Sequence, residues 1–206
     1  DDDQFGLKSM YNEFHVELSD DGLRAYLAAT RDKSFGVDVF TASRPDTASS
    51  FGSLSALFAG TFDEHDPHVT GDELRIYYAI YQVNDQELWT ATRASVNDPF
   101  GDAVPLDAVN LPGVIDANPS VSRDQRVLVF ASMRSGEGDV YVSVRDEPDL
   151  PWGPPSLLPP GVNTMAAFDG EPFLAESTGK CELFFASDRE AEGNHDLYRV
   201  DIEVTD

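Results

Sequence analysis

Four polar residues, His15, Asp66, Asn118 and Glu171, stand 51, 52 and 53 positions apart in a chain of 206. Two places further along come Glu17, His68, Ser120 and Phe173. Imidazoles and carboxylates gathered at one place can do several kinds of chemistry. His15, Asp66 and Glu171 together could hold Zn²⁺ or another transition metal, and Ca²⁺ if only the oxygens take part. Asp66 and Glu171 could instead serve as acid and base of the kind used in glycoside hydrolysis. His15 or His68 would then sit on a metal or shuttle a proton. A third use involves no reaction: His15, Asp66, His68, Asn118 and Glu171 form a site for a cationic ligand or a basic partner. The plainer alternative is a polar lining filled with ordered water. Each reading requires a fold that brings together residues roughly fifty positions apart, as a repeat architecture does.

The spacing belongs to a repeat that runs through the chain. An acidic residue stands three places before a Val or Pro in each unit, as Glu13, Glu64, Asp116 and Asp169. A second acidic column, Asp38, Glu87, Asp139 and Asp196, precedes a pair made of Leu or Val and an aromatic. A third column is an aromatic-Gly pair, Phe51-Gly52, Phe100-Gly101 and Trp152-Gly153, each aromatic 13 residues after its acidic residue. Periods of this size mean one supersecondary unit that buries its apolar face on its neighbours.

Within a unit the local signals are for strands. "LRIYYAI", "RVLVFAS" and "ELFFAS" are short apolar runs bounded by turn residues. "SDDG", "TGDE" and "SRDQ" are turns between first and second strands, where Asp and Gly accept turn dihedrals and local side-chain bonds. "DVFTAS", "ELWTAT", "DVYVSV" and "DLYRVD" are third strands, and the aromatic-Gly pair marks an outer strand. The expectation is an all-β protein: a four-bladed β-propeller with four-stranded antiparallel blades, in one domain over residues 1–206 with four repeats of about 51–53 residues. A fourth aromatic-Gly pair would fall at position 209, whereas Phe5-Gly6 stands ahead of the first unit. A ring closed by an N-terminal strand that completes the last blade accounts for both and leaves no open sheet edge. The competing reading is part of a larger propeller.

"ASMRSGEGDVYV" and "ASDREAEGNHDLYRV" resemble the TolB-type, WD-like propeller repeat through Ser132, Arg134, Gly138, Asp139 and Tyr141, and through Ser187, Arg189, Gly193, Asp196 and Tyr198. The first unit keeps Ser19, Asp21, Gly22, Arg31 and Asp38, and the second diverges most. The resemblance implies the propeller fold. It implies protein docking or an accessory role more often than catalysis.

Composition limits the partners. With 38 acidic against 14 basic residues the formal charge is −24, which disfavours nucleic acid and anionic membranes and favours cationic ligands, metal ions and basic surfaces. A solvated acidic coat that keeps the protein soluble is the simpler use of that charge. The single cysteine, Cys181, is expected as a buried, inert thiol. No run of residues is long enough to span a bilayer. The start "DDDQ", without Met, suits a mature protein whose signal peptide is not shown, and with the resemblance it places the chain outside the cell or in the periplasm.

Residues that recur in every unit solve one backbone problem four times, such as capping loop N–H groups. A carboxylate beside the turn is also expected to hold Arg31, Arg134 and Arg189 in bidentate pairs. Positions where units differ are the functional candidates. His65 and His195 are expected in solvated loops, and Trp89 and Trp152 in blade packing. Phe62, Leu111, Val114, Ile115, Met165 and Phe168 are candidates for an apolar contact patch. The reading is a monomeric, non-catalytic binding module that docks a protein, polymer or cationic ligand at the channel mouth, carbohydrate included among its partners. The alternative is a small secreted hydrolase or lyase that is carbohydrate-active or metal-dependent, with its site at the same place. A structural domain from a larger secreted protein is the third.

Overall fold

A computed structural model describes residues 12–30, 36–58, 62–82, 85–177, 180–190 and 193–202. It is a four-bladed β-propeller, and no helix occurs among the described residues. The first blade is β1 (Glu13–Leu18), β2 (Arg24–Ala29), β3 (Asp38–Ser43) and β4 (Ser55–Ala56). The second is β5 (Asp63–Val69), β6 (Arg75–Gln82), β7 (Asp85–Thr92) and β8 (Val104–Pro105). The third is β9 (Asp116–Val121), β10 (Val127–Ser132), β11 (Asp139–Val144) and β12 (Ser156–Leu157). The fourth contributes β13 (Asp169–Ser177), β14 (Lys180–Ser187) and β15 (Asp196–Ile202). Each sheet is antiparallel in chain order. The Phe5-Gly6 strand expected to complete the fourth blade lies outside the described residues.

The chain divides into two compact units, Asp1–Gln82 with Trp89–Val104, and Val83–Leu88 with Pro105–Asp206. In the first, Tyr26 and Val39 of one blade pack with Val69, Ile76 and Tyr78 of the next. In the second, Val129 and Val140 pack with Leu174, Leu183 and Phe185. Second strands lie between flanking layers, which is why β2, β6 and β10 are apolar on both faces rather than alternating. Cys181 is half-buried beside the second cluster, and burial, with Glu176 and Asp124, pushes its thiol up.

The turns have a mechanism common to three blades. The hydroxyl of Ser19, Thr70 or Ser122 donates to Asp21, Asp72 or Asp124 and accepts the N–H of Arg24, Arg75 or Val127. The next residue of the turn is left-handed: Gly22 at φ 68°, Glu73 at 57° and Gln125 at 59°. Glycine suits that geometry, whereas Glu73 and Gln125 hold it against steric cost.

The aromatic-Gly column differs from its expected role as an outer strand. The outer strands are two-residue pieces that begin further along, at Ser55, Val104 and Ser156. The glycine N–H bonds back to the end of the third strand, as Gly52 to Ser43, Gly101 to Thr92 and Gly153 to Val144. The aromatic ring lies under an arginine: Arg44 on Phe51 at 4.5 Å, Arg93 on Phe100 at 4.5 Å and Arg145 on Trp152 at 4.0 Å. The same arginines donate from Nε to the carbonyls of Gly22, Glu73 and Gln125. One guanidinium thus ties the turn to the loop after the third strand. The position matching these arginines in the fourth blade is Ile202, six residues after Asp196. Replacing Arg145 with alanine should cost about 1–2 kcal/mol in urea unfolding, and lysine should recover less than half, because its ammonium cannot stack flat on Trp152 and bond Gln125 together.

Candidate functional site

The four varying positions share one backbone device. In every blade the first strand slips register against the second, between Glu13 and Val16, His65 and His68, Ala117 and Ser120, and Gly170 and Phe173. These are bulges, and they fall at His15, Asp66, Asn118 and Glu171. Asp66, Asn118 and Glu171 are left-handed, at φ 52°, 51° and 50°, each directly before a proline. A residue before proline is pushed away from helical backbone, so the left-handed turn there is held by the surrounding sheet. Asn and Asp tolerate it; Glu171, exposed and long, is the strained member. Bulges of this kind re-aim a side chain out of its strand's alternation.

Next to the bulges, one of the candidates takes a specific contact. His68 is buried, and its Nδ1 lies 3.1 Å from Oε1 of Glu17. The other oxygen of Glu17 accepts the N–H of Val69 at 2.8 Å. The carboxylate therefore joins the first blade to the second and sets the imidazole's orientation. In the second unit Ser120 does the same joining work, its hydroxyl accepting the N–H of Leu174 at 3.0 Å. Glu17 and Ser120 are thus seams between blades, and His68 is a histidine locked by a seam. His15 and Asp66 belong to the first unit, Asn118 and Glu171 to the second. Among the described residues no three His, Cys, Asp or Glu side chains are grouped so as to hold one metal ion.

Two members of the all-acidic column, Asp116 and Asp169, behave as capping scaffold. Asp116 and Asp169 are 0% exposed. Asp116 accepts the N–H of Leu111 at 2.8 Å, and Asp169 that of Thr164 at 2.6 Å with the Thr164 hydroxyl at 3.0 Å. Arg134 and Arg189 are held here, through one oxygen each at 2.7 and 2.6 Å, rather than in the bidentate pairs expected. Nε goes instead to Ser132 or Ser187, and the remaining donors go to carbonyls of Val109, Gly161 and Val162. Arg31 lies outside the described residues. In the second blade Ile80 and Gln82 stand where the third and fourth have Ser and Arg, and Glu64 is left without a guanidinium. It is 3% exposed and has one oxygen without a hydrogen-bond partner. Burial first, then the Asp38 charge, pushes its carboxyl up to about 7.

At the turn side, Glu73 gathers a network that the sequence reading did not contain. Arg24 donates to both its oxygens at 2.5 Å, and Tyr26 donates at 2.6 Å. Arg93 donates to the Tyr26 hydroxyl at 2.8 Å. Burial alone would raise the Glu73 carboxyl; Arg24, Tyr26 and Arg93 more than reverse that and hold it low. The sign of such a network is the left-handed Glu73 itself, a glutamate where the first blade has glycine.

The remaining candidates divide. His65 lies in β5 rather than in a loop, near Phe14 and Tyr81. His195 is in a loop and stacks on Phe168 at 4.9 Å. Phe168 covers Gly138 and Gly170, where a Cβ would collide with its ring, so it is packing and not contact surface. Val114 and Ile115 are half-buried, whereas Phe62, Leu111 and Met165 are exposed, Met165 at 98%. Trp89 packs on the cluster shared by the first two blades, and Trp152 lies under Arg145 of its own blade.

No protein-family model and no curated protein matches the chain. Solved structures do. A chain assigned as TolB from Agrobacterium tumefaciens aligns over 97% of this chain and 64% of its own length, with 13% identity and a TM-score of 0.66. An endo-arabinase from Bacteroides thetaiotaomicron aligns over 100% and 79%, with 13% identity and a TM-score of 0.64. TolB from Acinetobacter baumannii aligns over 89% and 40%, with 14% identity and a TM-score of 0.60. The chain thus spans less than two thirds of either TolB chain. Likeness at this level shows a shared TolB-like propeller fold.

Proposed function

We propose that this protein is a non-catalytic binding module for a partner that presents positive charge, whether a basic protein segment, a polymer or a cationic ligand. One observation supports it most: a bulge repeated in every blade presents a different polar side chain each time, in a chain whose formal charge is −24. His15 and Asp66 in the first unit, and Asn118 and Glu171 in the second, are its recognition residues; His68, expected among them, is buried in the seam with Glu17. A fold that spends backbone strain on varying, partly or fully exposed positions, while Asp116 and Asp169 of the repeated column are consumed by capping, favours recognition there. Placement outside the cell or in the periplasm accords with the TolB-like fold and completes the reading.

The test is a charge-matched comparison with poly-L-lysine as the probe. Asp66→Asn with Glu171→Gln should weaken binding about tenfold at low salt, whereas Asp146→Asn with Glu147→Gln, an equal charge change at exposed positions after β11, should change it less than about twofold. Equal losses would mean that the surface charge acts as a whole and the bulges recognise nothing.

The alternative reading, a small carbohydrate-active or metal-dependent enzyme, draws on the Glu17–His68 pair, since a carboxylate that orients an imidazole is how a proton shuttle or metal ligand is prepared. Its measurement is a thermal-shift series with Zn²⁺ and Ca²⁺ on the protein and on His68→Gln. A metal shift lost in His68→Gln would move the assignment toward the enzyme.

A further inference from the structure

We propose that the contact between the first two blades is a proton-operated joint, in which Glu64 holds a proton shared with Asp38 and its loss loosens the start of β5. The inference does not rest on the binding role proposed above. It rests on a comparison within the molecule. Asp116 and Asp169 occupy the same place as Glu64, paired across from Ser132 and Ser187 as Glu64 is from Ile80. Those two carboxylates are neutralised by Arg134 and Arg189. Glu64 has no such partner among the described residues, is nearly as deeply buried, and leaves one oxygen unbonded. An unpaired carboxylate at such burial is costly enough that the neutral acid is the stable form.

The groups facing it increase that preference. Asp38 on β3 adds like charge, as does Asp63 beside it in β5, and together with burial they outweigh the opposite pull of the Val39 N–H. Tyr78 on β6 lies near enough that Glu64's charge, after burial, raises its phenol. On β1 and β2 the ionisable groups are Glu13, His15, Glu17, Arg24 and Tyr26. Glu17 is taken up by His68 and Val69, and Arg24 and Tyr26 by Glu73. The joint matters to the chain's geometry because the Glu64 N–H donates to the Val37 carbonyl at 2.7 Å, and Val37 in turn donates to Asp63 at 2.9 Å. These bonds fix the start of β5 two residues before the Asp66 bulge.

The sign follows from linkage. A carboxyl raised in the folded state binds its proton more tightly there than in the unfolded chain. Its stabilising contribution is complete below about 4.5, its ordinary value, and is lost as pH rises to about 7. Urea unfolding of the protein and of Glu64→Gln between pH 4 and 8.5 isolates it from the rest of the charge. The unfolding equilibrium constant should rise, relative to the variant, by about tenfold per pH unit between the two values and then level off. A second variant, Ile80→Ser with Gln82→Arg, installs the pair found in the third and fourth blades and should abolish that rise. Amide exchange at Glu64 should lose protection above neutral pH in the protein and keep it in both variants. A flat difference, or the opposite sign with stability gained as pH rises, would show an ionised, paired Glu64 and overturn the proposal.

Discussion

Replacing Asp169 with alanine should lower the unfolding free energy by about 3–5 kcal/mol, the largest loss expected of any polar residue among the described residues. The side chain is fully buried and does three jobs. It accepts the N–H and hydroxyl of Thr164, and it neutralises Arg189. Alanine leaves the partly buried charge of Arg189 without its counter-ion and a loop N–H without an acceptor, and the penalty is that of stranded groups rather than of one lost bond. Asparagine keeps the shape but turns an amide donor toward one of those donors, so it should recover about half of the loss. Arg189→Met in the natural background should do something different. It leaves in the fourth blade a buried acid without its guanidinium, so stability should become worse as pH rises. Chemical unfolding at pH 5 and pH 8 separates these outcomes.

Glu73→Ala should be nearly as damaging, about 3–4 kcal/mol, or a fall in Tm of roughly 10 °C for a chain of this size. It strands Arg24, Tyr26 and part of Arg93 together. Alanine at φ 57° also keeps the left-handed strain without the bonds that hold it. Glu73→Gly removes the strain as well, so it should be less harmful than Glu73→Ala by about 1 kcal/mol. The Glu73 carboxyl is held below its ordinary 4.5, so its contribution is present above that value and lost as pH falls through its lower folded value. Acid should therefore weaken the natural protein toward Glu73→Ala. This is the reverse of the trend at Glu64, and measuring both variants across pH distinguishes a paired buried glutamate from an unpaired one.

The contrast between those two glutamates shows what was legible in the sequence. The period, the blade count and the strand cores follow from column spacing, because each blade must satisfy the same hydrogen bonds with the same residue types. The capping role of Asp116 and Asp169 follows for the same reason. Glu64 looks identical to them in the column, and its different chemistry depends on Ile80 and Gln82, two strand residues that carry no motif. The arginine clasp was readable, since Arg44, Arg93 and Arg145 each stand six residues after the second acidic column. The aromatic-Gly pair draws attention from it. The bulges at Asp66, Asn118 and Glu171 were visible only as X-Pro steps. Their left-handed backbone comes from the sheet register, a non-local property. The Glu17–His68 contact joins residues of different blades, so spacing brings the columns near each other without saying which side chains bond.

On the proposed reading, the repeated positions are scaffold and the four bulge positions are recognition. Its most direct test is poly-L-lysine titration of a variant in which the bulges are made alike, His15→Asn, Asp66→Asn and Glu171→Asn alongside the natural Asn118. Asparagine accepts the left-handed backbone of Asp66 and Glu171, and His15 is not left-handed, so the unfolding midpoint should stay within about 2 °C of the natural protein or rise. Binding should fall by tenfold or more. Unchanged affinity in a fully folded variant would contradict the account and move recognition away from the bulged strands.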